Sequence, residues 1–182
     1  MDINRLAAGK NPPYEINVLI EVPLRSDPIK YEYDKDSGFI FVDRYLYTTM
    51  FYPCNYGFVP NTLSDDGDPL DVMVVGRMPV MPGAILPARP IGVLKMEDEA
   101  GMDEKILAVP TSKITQINSK VQNYLDIPEI DLLRIQHFFE HYKDLEPNKW
   151  VKVLGWAGPE RAHELILEGI ERVKGKLAPT GG

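Results

Sequence analysis

Cysteine occurs once in the 182 residues, at Cys54, which excludes an intrachain disulfide and leaves a buried packing role as the plain expectation for that thiol. Long apolar runs are missing too. No stretch approaches the about 18 apolar residues of a membrane-spanning helix, and Met1 to Glu15 lacks the apolar segment of a signal peptide. The expected setting is a reducing cytoplasm, with no membrane partner. Positive charge is in deficit, 20 Lys and Arg against 27 Asp and Glu, for a formal charge of −7. A chain so acidic has no general attraction to nucleic acid or anionic lipid, so any anionic ligand has to be drawn in by local charge. There is no repeat, no low-complexity tract and no linker, and the length suits one globular domain spanning residues 1–182.

What is abundant is punctuation. Of fourteen glycines and sixteen prolines, twenty fall in the first two thirds in short clusters, the pattern of strands joined by tight turns. From Tyr14 to Val22, alternation sets Ile16, Val18, Ile20 and Val22 on one face and Glu15, Asn17, Leu19 and Glu21 on the other. The segments 29–34 and 39–44, around Asp34-Lys35-Asp36-Ser37-Gly38, read as a hairpin. Further strands are expected over 72–75, 91–96, 105–109 and 150–156. Helical period enters late. Residues 128–142 carry Pro128 in the first turn, Asp126 as a candidate cap and Ile130, Leu133 and Phe138 as the apolar face. Residues 159–174 carry the stripe Ala162, Leu165, Ile166, Gly169, Ile170 and Val173, and the tail Ala178 to Gly182 is expected to fray. These elements predict a mainly β fold of the α+β class, a small, strongly curved antiparallel sheet or barrel covered by two helices.

Chemistry concentrates in acids. Four aspartates fall between Asp65 and Asp71, in Ser64-Asp65-Asp66-Gly67-Asp68-Pro69-Leu70-Asp71-Val72, a density of hard oxygen donors that suits divalent cations. Because the turn runs straight into the apolar segment 72–75, the carboxylates of Asp66, Asp68 and Asp71 are expected to be held near the sheet. An EF-hand starting at Asp66 fails, since its sixth and twelfth positions hold Asp71 and Arg77 instead of Gly and Glu. An aspartyl-phosphatase nucleophile stays open as an alternative, although the polar approach 61–65 is not the apolar strand that motif follows. A second acidic group, Glu97, Asp98, Glu99, Asp103 and Glu104, surrounds a hairpin-like turn. Basic and phenolic groups recur in the sheet and late helix as Lys30, Arg44, Tyr52, Tyr56, Lys105, Tyr142 and Lys143. Acids for cations together with bases for phosphate point to metal-assisted phosphoryl chemistry.

Taken in order, the segments Asp27-Pro28-Ile29-Lys30-Tyr31-Glu32, Phe51-Tyr52-Pro53-Cys54-Asn55-Tyr56-Gly57, Asp66-Gly67-Asp68-Pro69-Leu70-Asp71-Val72, Gly92-Val93-Leu94-Lys95-Met96 with the Asp98/Asp103/Lys105 hairpin, and His137-Phe138-Phe139-Glu140-His141-Tyr142-Lys143 resemble the family I inorganic pyrophosphatases of bacterial type. The resemblance implies an OB-like five-stranded antiparallel barrel with two helices, and hydrolysis of pyrophosphate to two orthophosphates by water activated on several Mg²⁺ ions, without a phosphoenzyme. It implies Asp66, Asp71 and Asp103 as metal ligands with Asp71 bridging, Asp98 and Asp103 on a third ion and Glu32 on a fourth. Asp68 would be the general base. Lys30, Arg44, Tyr56, Tyr142 and Lys143 would grip the phosphoryl groups, with Glu21, Tyr52, Asn55 and Lys105 supporting the site. A homo-oligomer, a hexamer in bacterial members, is implied as well.

Gathering seven carboxylates without ions is costly, roughly 3 kcal/mol for each like-charged pair about 5 Å apart at a dielectric near 20. Mg²⁺ is therefore expected to raise thermal stability. Two other functions compete with this one. His137, Glu140 and His141 match the inverted zinc-protease pattern, but no third ligand is evident and His163 lies on another helix, so packing or a subunit contact is the simpler role. A single-stranded nucleic-acid module could use Tyr31, Tyr33, Phe39 and Phe41 as stacking platforms, against the unfavourable charge.

Overall fold

The computed structural model describes residues 3–177, so the expected fraying of Ala178 to Gly182 lies outside the described residues. Eight strands form: β1 (Ile16–Val22), β2 (Ile29–Tyr33), β3 (Ile40–Tyr45), β4 (Asn55–Phe58), β5 (Asp71–Val74), β6 (Ile85–Asp98), β7 (Gly101–Pro110) and β8 (Val151–Ala157). The helices are α1 (Glu129–His141) and α2 (Pro159–Leu177). The main sheet runs β1-β4-β5-β7-β6-β8, and β1 also pairs with β6, so β1, β4, β5, β7 and β6 close into a ring of five. β2 and β3 form a separate antiparallel hairpin, as expected.

The ring is the expected OB-like barrel, but not an all-antiparallel one. β5 and β7 run parallel, with Val72 opposite Ile106 and Met73 opposite Leu107. Topology requires this: strand directions cannot alternate all the way around a closed ring with an odd number of members. Sequence patterning shows directions only across short turns, and β5 and β7 are separated by β6.

The core lies in layers. Ile16, Val18, Ile20, Val72, Val74, Val93, Ile106 and Ala108 pack with Ala162, Leu165 and Ile166 of α2. Met73, Leu94, Met96, Leu107 and Val109 pack with Ile135, Phe138, Phe139 and Tyr142 at α1, together with Cys54, which is buried as expected. Alternate residues of one strand thus serve opposite helices, and continuous apolar runs follow. β1 departs from simple alternation. Leu19 is also buried, against Tyr33 and Phe58, and a bulge between Ile20 and Val22 sends Val22 into the α1 layer. On α1, Ile130 and Leu133 are exposed, and the buried face is Ile135, Phe138 and Phe139. Asp126 does not cap this helix. Its carboxylate accepts from Gln122 N–H and Asn123 N–H in the preceding turn. The α2 stripe lies as expected, with Ala162, Leu165, Ile166 and Gly169 buried.

Candidate active site

The parallel β5–β7 register sets Asp71, the first residue of β5, beside Lys105, and the two-residue period of β7 puts Asp103 on the same face. Lys105 is only 3% exposed, with its Nζ 2.7 Å from Asp71 Oδ2, 3.0 Å from Asp103 Oδ2 and 3.1 Å from the Tyr56 hydroxyl. Burial alone would lower the Lys105 pKa, but the Asp71, Tyr56 and Asp103 oxygens overcome it and hold the ammonium well above its ordinary value. The Tyr56 hydroxyl is driven well above the phenol range by burial and by the Asp71 charge. Burial likewise raises Asp103, against the pull of Lys105, and Asp71 and Asp98 add to the rise.

Glu21 sits at the β1 bulge, almost buried, accepting the Tyr33 N–H at 2.7 Å and so tying the barrel to the β2–β3 hairpin. Burial pushes its carboxyl up to about 8, with Asp71 and Glu32 contributing. On the hairpin, Lys30 and Arg44 are cross-strand neighbours linked by Asp43, whose Oδ2 lies 2.9 Å from Lys30 Nζ and 3.1 Å from Arg44 Nη1. Arg44 also reaches Glu146 at 3.3 Å.

The acidic loop between β4 and β5 is internally bonded. Asp66 Oδ1 accepts from Ser64 Oγ at 2.5 Å and from Asp68 N–H at 2.9 Å, while Ser64 N–H donates to the Asp68 carbonyl at 2.7 Å. Gly67 takes φ +92°, a conformation that favours glycine and lets the loop turn between its two aspartates. Asp66 and Asp68 are exposed, contrary to the expectation that all these carboxylates lie close against the sheet; only Asp71 is drawn into it. Asp68 is 80% exposed in its side chain, with Lys35 Nζ 3.9 Å away.

A cavity of about 820 Å³ joins these parts, lined by Glu21, Lys30, Glu32, Tyr56, Asp66, Asp68, Asp71 and Asp103 among others. Six of the seven carboxylates expected to converge therefore share one wall. The seventh, Asp98, is bound to Lys143 Nζ at 2.7 Å beside the buried Tyr142, and neither it nor Lys143, Tyr142 or Arg44 lines the cavity. Lys105 stands behind Asp71 and Asp103. Tyr52 is buried with its ring 5.4 Å from that of Tyr56, a supporting position. Asn55 turns away: its Oδ1 accepts from Leu24 N–H and Val80 N–H, and its Nδ2 donates to the Met78 carbonyl.

Sequence reasoning missed Asp43, the acid that binds Lys30 and Arg44 together, and Arg172 of α2, which pairs with Asp65 at 2.6 Å. The signal for Asp43 was its place beside Arg44 in a strand that faces Lys30. No sequence signal existed for Arg172, whose contact with the loop is purely tertiary.

The cavity is lined by eleven acidic side chains and three basic ones, Lys30, Lys35 and Arg172, a formal surplus of eight negative charges. Its donors are carboxylates, without thiol or imidazole, a set that fits hard divalent cations. Among the described residues no three His, Cys, Asp or Glu are grouped closely enough to hold an ion as they stand, and the Lys105 ammonium lies between Asp71 and Asp103. Along α1, the His137 and His141 rings lie 4.6 Å apart on an exposed face, with His141 Nδ1 2.7 Å from Asp144 and Glu140 bonded to Gln136. Of the four aromatics considered as stacking platforms, Phe39 and Phe41 are exposed, Tyr33 is buried and Tyr31 half-buried. No described helix is long and apolar enough to cross a membrane.

Comparison with known proteins bears on this cavity. A family model described as inorganic pyrophosphatase matches residues 18–174. The inorganic pyrophosphatase of Bradyrhizobium diazoefficiens is 62% identical over 176 residues, 97% of this chain and 99% of the relative. The solved inorganic pyrophosphatase of Thermus thermophilus superposes with a TM-score of 0.91 at 43% identity, over 96% of this chain and 99% of that one. That of Coxiella burnetii gives 0.89 at 51% identity, over 92% and 99%.

Proposed function

The chain belongs to the family I inorganic pyrophosphatases in their bacterial form, and from that premise we propose that the acidic cavity uses Mg²⁺ and water to hydrolyse pyrophosphate directly to two orthophosphates, with no phosphoenzyme. Membership implies an enzyme that acts on pyrophosphate with a divalent metal cofactor. The observation that carries the finer reading is the formal surplus of eight negative charges on the cavity wall, about seven with the raised Glu21 carboxyl keeping its proton near neutral pH. A substrate with about three to four negative charges of its own cannot enter such a wall unless cations are bound there first.

Asp66, Asp71 and Asp103 would hold the metal, with Glu32 and Asp98 serving further ions. When bound, Mg²⁺ lowers the pKa of water at the site and takes up charge on the transferring and leaving oxygens. The side chains do the rest. Lys105 fixes Asp71 and Asp103 in one orientation and donates to Tyr56. Tyr56 keeps its proton far above neutrality, so it serves as a donor to a phosphoryl oxygen. Lys30 and Arg44, held side by side by Asp43, supply a paired positive charge, and Tyr142 and Lys143, which like Arg44 stand outside the cavity wall, would supply the remaining grip. Asp68 is suited to the general base: its nearest cation is 3.9 Å away, whereas Asp66 is engaged by two donors.

Phosphate release from pyrophosphate is expected to require Mg²⁺, to stop with chelator, and to fall roughly 10²- to 10⁴-fold in kcat for Asp68→Asn. Hydrolysis indifferent to both chelation and the substitution would refute the mechanism. The same reading includes cytoplasmic residence and assembly into a homo-oligomer, with a hexamer as the form that sedimentation should find.

A further inference from the structure

The acidic loop is docked on α2 from one side and closed at its neck from the other. Leu63, where the loop begins, is held at both backbone groups: its N–H donates to the Gly169 carbonyl at 3.0 Å, and its carbonyl accepts from Arg172 Nη1 at 3.2 Å. Arg172 Nη2 reaches Asp65 Oδ1 at 2.6 Å and Glu168 Oε2 at 3.5 Å, so one guanidinium spans helix and loop. The approach is close enough that a Cβ on Gly169 would meet Leu70 Cδ1 at 2.8 Å, Leu63 O at 3.2 Å and Thr62 Cβ at 3.2 Å. At the neck, the Thr62 hydroxyl donates to the Val59 carbonyl at 2.7 Å and accepts from Leu70 N–H at 3.1 Å.

We infer that Arg172 is a positioning residue for the metal and water chemistry of the acidic loop: α2 presents it as an anchor that sets Asp66 and Asp68 in place before any ion binds. This rests on the reading of those two aspartates given above. Asp65, the first aspartate of the cluster, is then a partner of Arg172 and not of a metal. Its carboxylate is 87% exposed in the side chain, so the ion pair itself contributes little to stability. The guanidinium matters through geometry. Its planar fork holds the Leu63 carbonyl and the Asp65 carboxylate at fixed separation, which a flexible ammonium cannot reproduce. The bonds that orient Asp66, from Ser64 Oγ and Asp68 N–H, begin one residue past that anchor. Loss of the guanidinium leaves Leu63 held at its N–H alone and Asp65 without its partner, so the segment beyond can pivot, and a support of this kind acts on metal affinity as an outer-shell partner does.

The test is calorimetric titration of the chain with Mg²⁺ alone, beside the Mg²⁺ concentration for half-maximal pyrophosphate hydrolysis. Arg172→Ala should weaken both by roughly tenfold while saturating Mg²⁺ restores most of kcat, and Arg172→Lys should recover only part of the loss. A merely structural role would leave the Mg²⁺ isotherm of the folded fraction unmoved. Asp66→Ala serves as the control. An unchanged isotherm in Arg172→Ala, with binding weakened in Asp66→Ala, overturns the positioning role alone; unchanged isotherms in both overturn the reading on which it rests. Should Arg172→Ala fail to fold, Arg172→Gln, which keeps one donor, replaces it, and Mg²⁺ binding equal to the parent's overturns the inference.

Discussion

Replacing Lys105 by methionine tests whether the buried ammonium is the counter-ion of the acidic cavity. The side chains are close in length, so the change deletes charge more than volume. In the structure the ammonium lies 2.7 Å from Asp71 and 3.0 Å from Asp103, with only 4% of its side chain exposed. Each contact is worth about 5 to 6 kcal/mol in gross Coulomb energy at an effective dielectric near 20, and desolvation of the buried charge offsets much of that. Removing one member of a buried pair costs about 3 to 5 kcal/mol, because the partner charge is left uncompensated. Here the carboxylates keep 33% and 26% side-chain exposure, which moves the expectation to the low end, about 3 kcal/mol. For a domain of this size that is roughly 6 to 12 °C in Tm. The assay is thermal unfolding in chelator, with two companion arms. Mg²⁺ should shrink the loss, since on the function proposed above ions neutralise the same two carboxylates, and Lys105→Met with Asp103→Asn should be more stable than the sum of the two single losses. Additive losses that Mg²⁺ leaves untouched would refute the reasoning and reduce Lys105 to a packing element.

Two further outcomes are expected. Glu21 titrates near 8 in the fold against an ordinary 4.5, because it is buried, so the native state keeps a proton that the unfolded chain releases in this interval. In chelator its contribution is therefore fully present below about pH 4.5 and is lost as pH rises to about 8, at about 1.4 kcal/mol per unit. Denaturant unfolding from pH 5 to 9 should show a shallower decline in Glu21→Gln, and equal slopes would count against the buried carboxyl as the cause. Asn55→Ala strips the partner from Leu24 N–H, Val80 N–H and the Met78 carbonyl, and should cost about 2 to 4 kcal/mol in chemical denaturation. KM for pyrophosphate should stay near the parent's, because Asn55 does not line the cavity; a large rise in KM would return it to the site.

How far the residues alone disclosed the molecule depends on whether a feature is local in the chain. The β2–β3 hairpin, the buried β5 and the stripe of α2 are local, set by alternation, turn chemistry and helical period, and they were legible. β4 was not. It is four residues long with Gly57 inside it, and a Cβ there would fall 1.9 Å from the Leu19 carbonyl, so the glycine permits a close crossing of β1 where punctuation suggests a turn. On α1 the apolar residues span more than one face, and only contact with β8 and the barrel selects Phe138 and Phe139 over Ile130 and Leu133. The candidate site divides the same way. Spacing gathers the aspartates between 65 and 71, but nothing in spacing shows that Asp98 is bound to Lys143 outside the cavity wall or that Lys105 lies between two acids. The Lys105–Asp71 pairing follows from the parallel β5–β7 register, and the Asp98–Lys143 pairing from the docking of α1 beside the end of β6; a linear pattern encodes neither. The closed barrel therefore does more than carry the acidic residues: by seating a cation behind Asp71 and Asp103 it lets these acids share one wall, and it leaves the outer ones, Asp66 and Asp68, exposed to solvent.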